Sequence, residues 1–195
     1  MRICLYGGTF DPPHLGHLAI AEYIRDKLNI ETVLFIPAYI APHKIKYSVS
    51  SVEDRLKMLQ LAVSDHSGLQ ISKVEIQRKG VSYSIDTIRQ IKEGMDIKSK
   101  DLYILIGADS FLEFHTWRDP DKILEESSVL VAGRPGFDIR EVSEEFRNKI
   151  QVVSAPLIDI SATMIRQRIR EGKSIRSLVP ALVEDYILRK GLYRS

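Results

Sequence analysis

Apolar residues recur along the chain at two spacings. Short, nearly unbroken runs occupy residues 3–6, 32–36, 102–106, 129–132 and 150–153, and they are rich in β-branched and aromatic side chains. Several lack polar alternation, the pattern of strands covered on both faces. Between them the spacing changes to that of amphipathic helices. Leu18, Ala21, Ile24 and Leu28 fall on one side of a helix, with Glu22, Arg25 and Asp26 between them. Val52, Leu56, Leu59 and Val63 repeat the pattern, and Ser50 with Glu53 has the spacing of a capping box. A further helix is predicted over 84–93, with Gly94 just past its end. Asp119-Pro120 reads as N-cap and first helical residue. Ser161 can cap a helix that ends before Gly172, and Pro180 can start a last one that ends before Gly191.

Strand and helix alternating in this way imply right-handed crossover units. The predicted fold class is α/β: a Rossmann-like, doubly wound, mainly parallel sheet with helices on both faces. No internal repeat, low-complexity tract or long linker divides the sequence, and Pro135-Gly136 reads as a loop inside one domain. That domain is expected to span 1–195, with the C-terminal helices from about residue 161 packed on it. In such sheets ligands bind outside the carboxyl ends of the strands, where the strand order reverses. The residues just after each apolar run therefore carry the functional information.

Composition narrows the function classes. The chain has 195 residues, 44% hydrophobic and 28% charged, as in an ordinary globular domain. A net charge of +2 gives no support to nucleic-acid binding, yet it leaves room for a local basic pocket around a small anion. The single cysteine, Cys4, excludes a disulfide within the chain and a Cys-based zinc site, and it fits a reducing compartment. No run has the length of a signal peptide core or a membrane span, so a cytoplasmic protein without a membrane partner is expected. The aromatic residues form no stripe that would settle self-association, and a homo-oligomer stays open.

The first strand-to-helix junction is the most informative. Gly7-Gly8-Thr9-Phe10-Asp11-Pro12-Pro13-His14-Leu15-Gly16-His17 combines glycines that let the backbone approach a ligand, a helix N-terminus with free N–H groups, and two imidazoles three residues apart. Gly16 removes a side chain where something bulky must pass. The combination suits a polyphosphate, but it is neither a Walker A loop nor GxGxxG. A tight turn with capping histidines is the plainer alternative, and HxxH without an interposed Glu or an obvious third ligand is a poor metal site.

Other junctions add to this. After the second strand come Pro42-His43-Lys44, with Lys46 nearby. Ser82-Tyr83-Ser84-Ile85-Asp86-Thr87 precedes a helix, where hydroxyls and free N–H groups can hold a carboxylate or amide. Gly107-Ala108-Asp109-Ser110 follows the run at 102–106, and Asp109 can accept hydrogen bonds from a ribose or hold Mg²⁺. Trp117, the only tryptophan, can stack on a planar ring or lie in the core with Phe111 and Phe114. Arg134 follows the run at 129–132, and Ile160-Ser161-Ala162-Thr163-Met164-Ile165-Arg166 opens a late helix. Ser161, Thr163 and Arg166 can grip phosphate oxygens. Each motif alone is matched by ordinary capping or a solvated loop. Together they point to a phosphate-rich ligand in an α/β crevice, without naming a reaction.

Residues 7–17, with His14-Leu15-Gly16-His17, resemble the signature of the HxGH nucleotidyltransferase superfamily. Residues 160–166 resemble its second signature, ISSTxxR, with Ala162 in place of the middle Ser. Pro42-His43-Lys44, the 82–87 block, and Gly107 to Ser110 with Trp117 are similar to the bacterial nicotinate-nucleotide adenylyltransferase family. The resemblance implies transfer of AMP from ATP to nicotinate mononucleotide, giving nicotinate adenine dinucleotide and pyrophosphate on the route to NAD. It implies direct in-line attack by the acceptor phosphate, with no enzyme nucleophile. His14 is then expected at the α-phosphate and His17 at the triphosphate. Gly7, Gly8, Thr9, Phe10, Gly16 and Ile160 are expected around ATP, and Ser161, Thr163 and Arg166 at its β- and γ-phosphates. Mg²⁺ is expected mainly on ATP. Lys44, Tyr83, Ser84, Asp109, Trp117 and Arg134 are expected to hold the nicotinate nucleotide: Lys44 its phosphate, Ser84 and its neighbours the carboxylate, Trp117 the pyridine and Asp109 a ribose. Pantetheine-phosphate adenylyltransferase shares both signatures and is one alternative. A non-catalytic nucleotide sensor that kept the pocket is the other.

Overall fold

The computed structural model describes residues 1–42, 49–133, 140, 142–154 and 158–194. Its strands are β1 (Ile3–Gly8), β2 (Thr32–Pro37), β3 (Leu69–Ile71), β4 (Leu102–Gly107), β5 (Ser128–Ala132) and β6 (Ile150–Val153). They form a six-stranded sheet in the order β3-β2-β1-β4-β5-β6. Every pairing among them is parallel, so the expected mainly parallel sheet is wholly parallel here. The strand absent from the apolar runs is β3, whose three residues at the sheet edge are too few to show a period. From β1 the chain winds outward through β2 to β3, then returns to lay β4 on the other side of β1. The strand order therefore reverses between β1 and β4, which opens a crevice at their carboxyl ends.

Among the described residues the α-helices are α1 (Leu15–Leu28), α2 (Val52–Val63), α3 (Val74–Arg78), α4 (Ser84–Met95), α5 (Ala108–Leu112), α6 (Pro120–Glu126), α7 (Glu144–Arg147), α8 (Ala162–Arg170) and α9 (Ala181–Lys190), the last two following β6. Alternate strand residues face opposite layers. Ile3, Leu5, Ile104 and Ile106 pack with Ile85 and Ile88 of α4, Phe111 of α5 and Phe114. Cys4, Phe35, Leu105 and Leu130 pack on the other face with Ala21 and Ile24 of α1, Met58 and Leu59 of α2, Ile165 of α8, and Val183 and Ile187 of α9. Burial on both faces is why β1, β2, β4 and β5 read as unbroken apolar runs, while β6 at the sheet edge leaves Gln151 and Val152 exposed. No described helix is long and apolar enough to cross a membrane.

Helix ends depart from expectation at α2 and α4. The cap of α2 is Ser51, whose hydroxyl accepts the Asp54 N–H at 3.0 Å, not Ser50. Ser50 is committed elsewhere: its N–H donates to Asp11 and its carbonyl accepts from Arg55. The buried face of α2 is also rotated from the predicted stripe, and comprises Arg55, Met58, Leu59 and Ala62. Helix α4 runs through Gly94 and closes at Asp96, which takes the left-handed conformation (φ 50°). Asp tolerates that region because its short polar side chain bonds locally. Ser161, Asp119-Pro120 and Gly191 mark helix ends as predicted, while Pro180 is the N-cap of α9.

Candidate active site

The loop between β1 and α1 carries both histidines at the crevice. His14 is the N-cap of α1, in extended backbone (φ −144°, ψ 169°), and His17 lies in its first turn. The Nδ1 of His17 accepts the His14 backbone N–H at 3.1 Å. An accepting Nδ1 fixes the neutral tautomer with hydrogen on Nε2, so the far edge of the His17 ring is a donor. The two imidazoles stack, with centroids 3.6 Å apart and planes 26° from parallel, so they project together as expected. A Cβ on Gly16 would stand 3.1 Å from Nδ1 and 3.2 Å from Cε1 of His14. The bulky group that needs this glycine is therefore the His14 ring. Phe10 is buried with φ 52°, and its ring meets those of Tyr6 and His17 edge-on at 5.7 and 5.1 Å. A Cβ on Gly8 would lie 2.9 Å from the tip of the Phe10 ring, so Gly8 lets that ring fold beneath the loop.

Behind the loop is a polar network that the sequence did not disclose. Arg55 is 1% exposed. Its guanidinium donates to the carbonyls of Thr9 (2.9 Å), Ser50 (3.2 Å) and Tyr39 (3.4 Å). It thus ties the loop after β1 to the loop after β2. Burial pushes the Arg55 pKa down, and the nearby Asp11 carboxylate opposes that shift. Asp11 accepts the Ser50 N–H at 3.1 Å and the Tyr193 hydroxyl at 2.6 Å. Burial, then the Asp11 charge, pushes the Tyr193 phenol up, so it stays a donor. Arg55 left one signal: a charged residue at 55 in register with the apolar positions 58, 59 and 62 of a helix. Tyr193 lies far along the sequence and left none.

The start of α8 lies on the same rim. Arg166 donates from Nη1 to the Asp11 carbonyl at 2.8 Å and from Nη2 to the Thr163 hydroxyl at 3.2 Å. The Ser161 hydroxyl accepts the Met164 N–H at 3.2 Å and so caps the helix. Ile158, just before Ile160, approaches the Cβ position of Gly16 to 3.6 Å. The glycine loop, both imidazoles and the Ser161–Thr163–Arg166 group therefore converge, although residue 11 and residue 166 are far apart in sequence.

Beside them opens a cavity of about 280 Å³, lined by Gly7, Gly8 and Thr9 on one side and by Ser82, Tyr83, Ser84, Ser110, Trp117 and Arg118 on the other. Tyr83 is the N-cap of α4 and Ser84 its first residue, so the free amides of that helix start at the cavity wall. Trp117 is half-buried, lines the cavity and packs on Phe114 at 5.4 Å. Arg118 lies over the Tyr83 ring at 4.8 Å and pairs with Asp86 at 3.3 Å. Asp109 is exposed in the first turn of α5, next to the lining rather than in it. Lys44 and Arg134 lie outside the described residues. A further lining residue, Glu75, was not foreseen. Among the described residues, no three His, Cys, Asp or Glu side chains gather as a metal site would require.

Comparison with known proteins agrees with this geometry. Residues 5–168 match the cytidylyltransferase-like family. A protein of Desulfitobacterium hafniense named probable nicotinate-nucleotide adenylyltransferase is 43% identical over 200 residues, covering 99% of this chain and 96% of the relative. Its namesake in Dictyoglomus thermophilum is 39% identical over 197 residues, covering 99% and 100%. Among solved structures, the Plasmodium falciparum nicotinic acid mononucleotide adenylyltransferase complexed with NaAD superposes with a TM-score of 0.81 at 20% identity, over 98% of this chain and 97% of that one. It shares the fold. A crystal structure of a putative nicotinate-nucleotide adenylyltransferase from Vibrio parahaemolyticus gives a TM-score of 0.74 at 22% identity, over 100% of this chain and 97% of that one. By its match to the family over most of its length and its identity to these full-length relatives, the chain belongs to the cytidylyltransferase-like family and, within it, to the nicotinate-nucleotide adenylyltransferases.

Proposed function

We propose that the protein joins ATP to nicotinate mononucleotide by a single displacement. An oxygen of the acceptor phosphate bonds to the α-phosphorus of ATP, the bond from that phosphorus to the bridging oxygen breaks, and pyrophosphate leaves with the electron pair. The product is nicotinate adenine dinucleotide. The observation that carries the reading is the hydrogen bond from Arg166 to the Asp11 carbonyl, because it puts the start of α8 and the two stacked histidines around one point. Such a reaction needs positioning and charge neutralisation rather than covalent help from the enzyme.

In this reading His14 meets the α-phosphate and steadies charge that develops there. The Nε2–H of His17 donates to the triphosphate. Backbone groups of Gly7, Gly8, Thr9 and Phe10 line its path, Gly16 gives the His14 ring room, and Ile160 borders the nucleotide. Ser161, Thr163 and Arg166 hold the β- and γ-phosphates and then the departing pyrophosphate, helped by the positive end of α8. Across the cavity the amides from Ser84 onward receive the nicotinate carboxylate, Trp117 and Tyr83 flank the ring, and Asp109 approaches a ribose. Lys44 and Arg134 are assigned to the acceptor nucleotide on the strength of the sequence alone. Mg²⁺, carried mainly by the ATP oxygens, supplies neutralisation of triphosphate charge when bound. A cytoplasmic location belongs to this reading, supported by the single cysteine, which fits a reducing compartment.

The test offers ATP and Mg²⁺ with nicotinate mononucleotide, its amide or phosphopantetheine, and follows pyrophosphate and product mass. Nicotinate mononucleotide is expected to release pyrophosphate and to yield the dinucleotide. Release with phosphopantetheine alone, or with no acceptor of the three, would overturn the reading.

A further inference from the structure

We infer that Glu75 is the positioning residue of the acceptor pocket, holding the first turn of α4 through the Thr87 hydroxyl, beside the Ser82 wall. The inference rests on the proposed function, because it takes that wall to be the one that meets the pyridine carboxylate. Glu75 lies on α3 and is 6% exposed, yet it lines the cavity. A carboxyl group buried at an anion's pocket needs a reason, since its charge opposes both burial and the ligand.

The hydrogen-bond pattern supplies one. Thr87 donates its hydroxyl hydrogen to Glu75 Oε1 at 2.6 Å. Burial pushes the Glu75 pKa up, and the hydroxyls of Thr87 and then Ser82 oppose that shift. Ser82 Oγ in turn accepts the Tyr39 N–H at 3.0 Å, so its own hydrogen is free for Glu75. The Ser82 N–H donates to the Ile40 carbonyl at 2.9 Å, which joins the same segment to the loop after β2. Arg78 donates to Thr87 Oγ1 at 2.9 Å and stands 4.0 Å from Glu75, so it offsets the carboxylate charge.

Glu75 thus ties α3 to α4, and Ser82 ties the stretch at 81–83 to the loop after β2. The Thr87 hydroxyl ends on Glu75, which leaves the first α4 amides as the donors at the cavity wall. A glutamine would keep the shape but would point its NH₂ at one of the hydroxyls. Without an acceptor at position 75, the Thr87 hydrogen has the Tyr83 carbonyl to turn to, at 3.2 Å.

The test measures both Michaelis constants in the parent, Glu75→Gln, Thr87→Val and the double variant. Each single change is expected to raise KM for nicotinate mononucleotide about ten-fold, the worth of one charge-assisted hydrogen bond. The KM for ATP should stay within about two-fold. The double variant should be no worse than the more affected single, because both changes break one network. If Glu75→Gln does not fold, Thr87→Val and Ser82→Ala give the same readout. An unchanged acceptor KM, an equal rise in both constants, or additive losses would overturn the assignment. A parent that turns over nicotinate mononucleotide while the variants keep its KM refutes Glu75 alone. A parent that does not turn it over refutes the proposed function, and the assignment with it.

Discussion

Replacing Gly16 by alanine should separate stability from catalysis. Gly16 is the second residue of α1 and its φ is not in the left-handed region, so alanine fits the backbone. In a helix, Gly→Ala favours the folded state by roughly 0.5–1 kcal/mol. Against this stands the new Cβ, 3.1 and 3.2 Å from the His14 ring and 3.6 Å from Ile158. Ordinary contact begins near 3.4 Å, so the ring must retreat by a few tenths of an ångström. It cannot do so freely, because its other face is stacked on His17 at 3.6 Å. The two terms nearly offset, and Tm should change by no more than about 4 °C. A misplacement of about 1 Å at a reacting centre can cost on the order of 10² in rate, so a fraction of that shift should lower kcat about ten-fold. Circular dichroism melts and steady-state pyrophosphate release read the two effects. A Gly16→Ala variant with parental kcat would refute the claim that this glycine seats the His14 ring. A Tm loss well beyond 4 °C would show that Gly16 serves the fold instead.

Three further outcomes are expected. His14→Ala should lower kcat by about 10² or more, as loss of a transition-state donor does, while ATP binding by calorimetry is retained. Arg55→Met should destabilise by about 3–5 kcal/mol, because three carbonyls lose a buried charged donor, and Tm should fall by roughly 6–20 °C; a fall under about 3 °C would contradict the network. The hydrogen bond from Tyr186 at 2.7 Å, followed by Ser51, holds the Asp54 carboxyl below its usual pKa. A depressed pKa gives stability that is present above the unfolded value and lost as pH falls through the folded one. Urea melts should therefore show Tyr186→Phe less stable than the parent at pH 6–7, with the gap closing below about pH 4. A gap that stays constant down to pH 2 would count against Asp54 as its source.

How far the sequence reached depended on the range of each interaction. Strands buried on both faces, and caps such as Ser161 and Gly191, are local in cause and were legible at the residue. The short β3 was not, because edge pairing with β2 and not its own pattern makes it a strand. Ser50 has the spacing of a cap, but Asp11, from 39 positions away, claims its N–H and the cap moves to Ser51. At the site, the histidines and the Ser161–Arg166 group, the proposed phosphate ligands, stood out as few residue types at fixed spacings. Arg55, Glu75 and Tyr193 did not, since each acts through backbone or side chains brought near only by the fold. The departure at Ala162 does no visible harm: Ser161 still caps α8 and Thr163 still meets Arg166.

The most direct measurement of the central claim is the stereochemical course at the transferred phosphorus. ATP bearing a chiral thiophosphate at the α-position would be turned over with nicotinate mononucleotide, and the configuration of the dinucleotide read by phosphorus NMR. Two phosphorylated molecules braced by one rim, one displacing pyrophosphate from the other, predict inversion. Retention would demand an adenylylated side chain as intermediate, and would contradict the account.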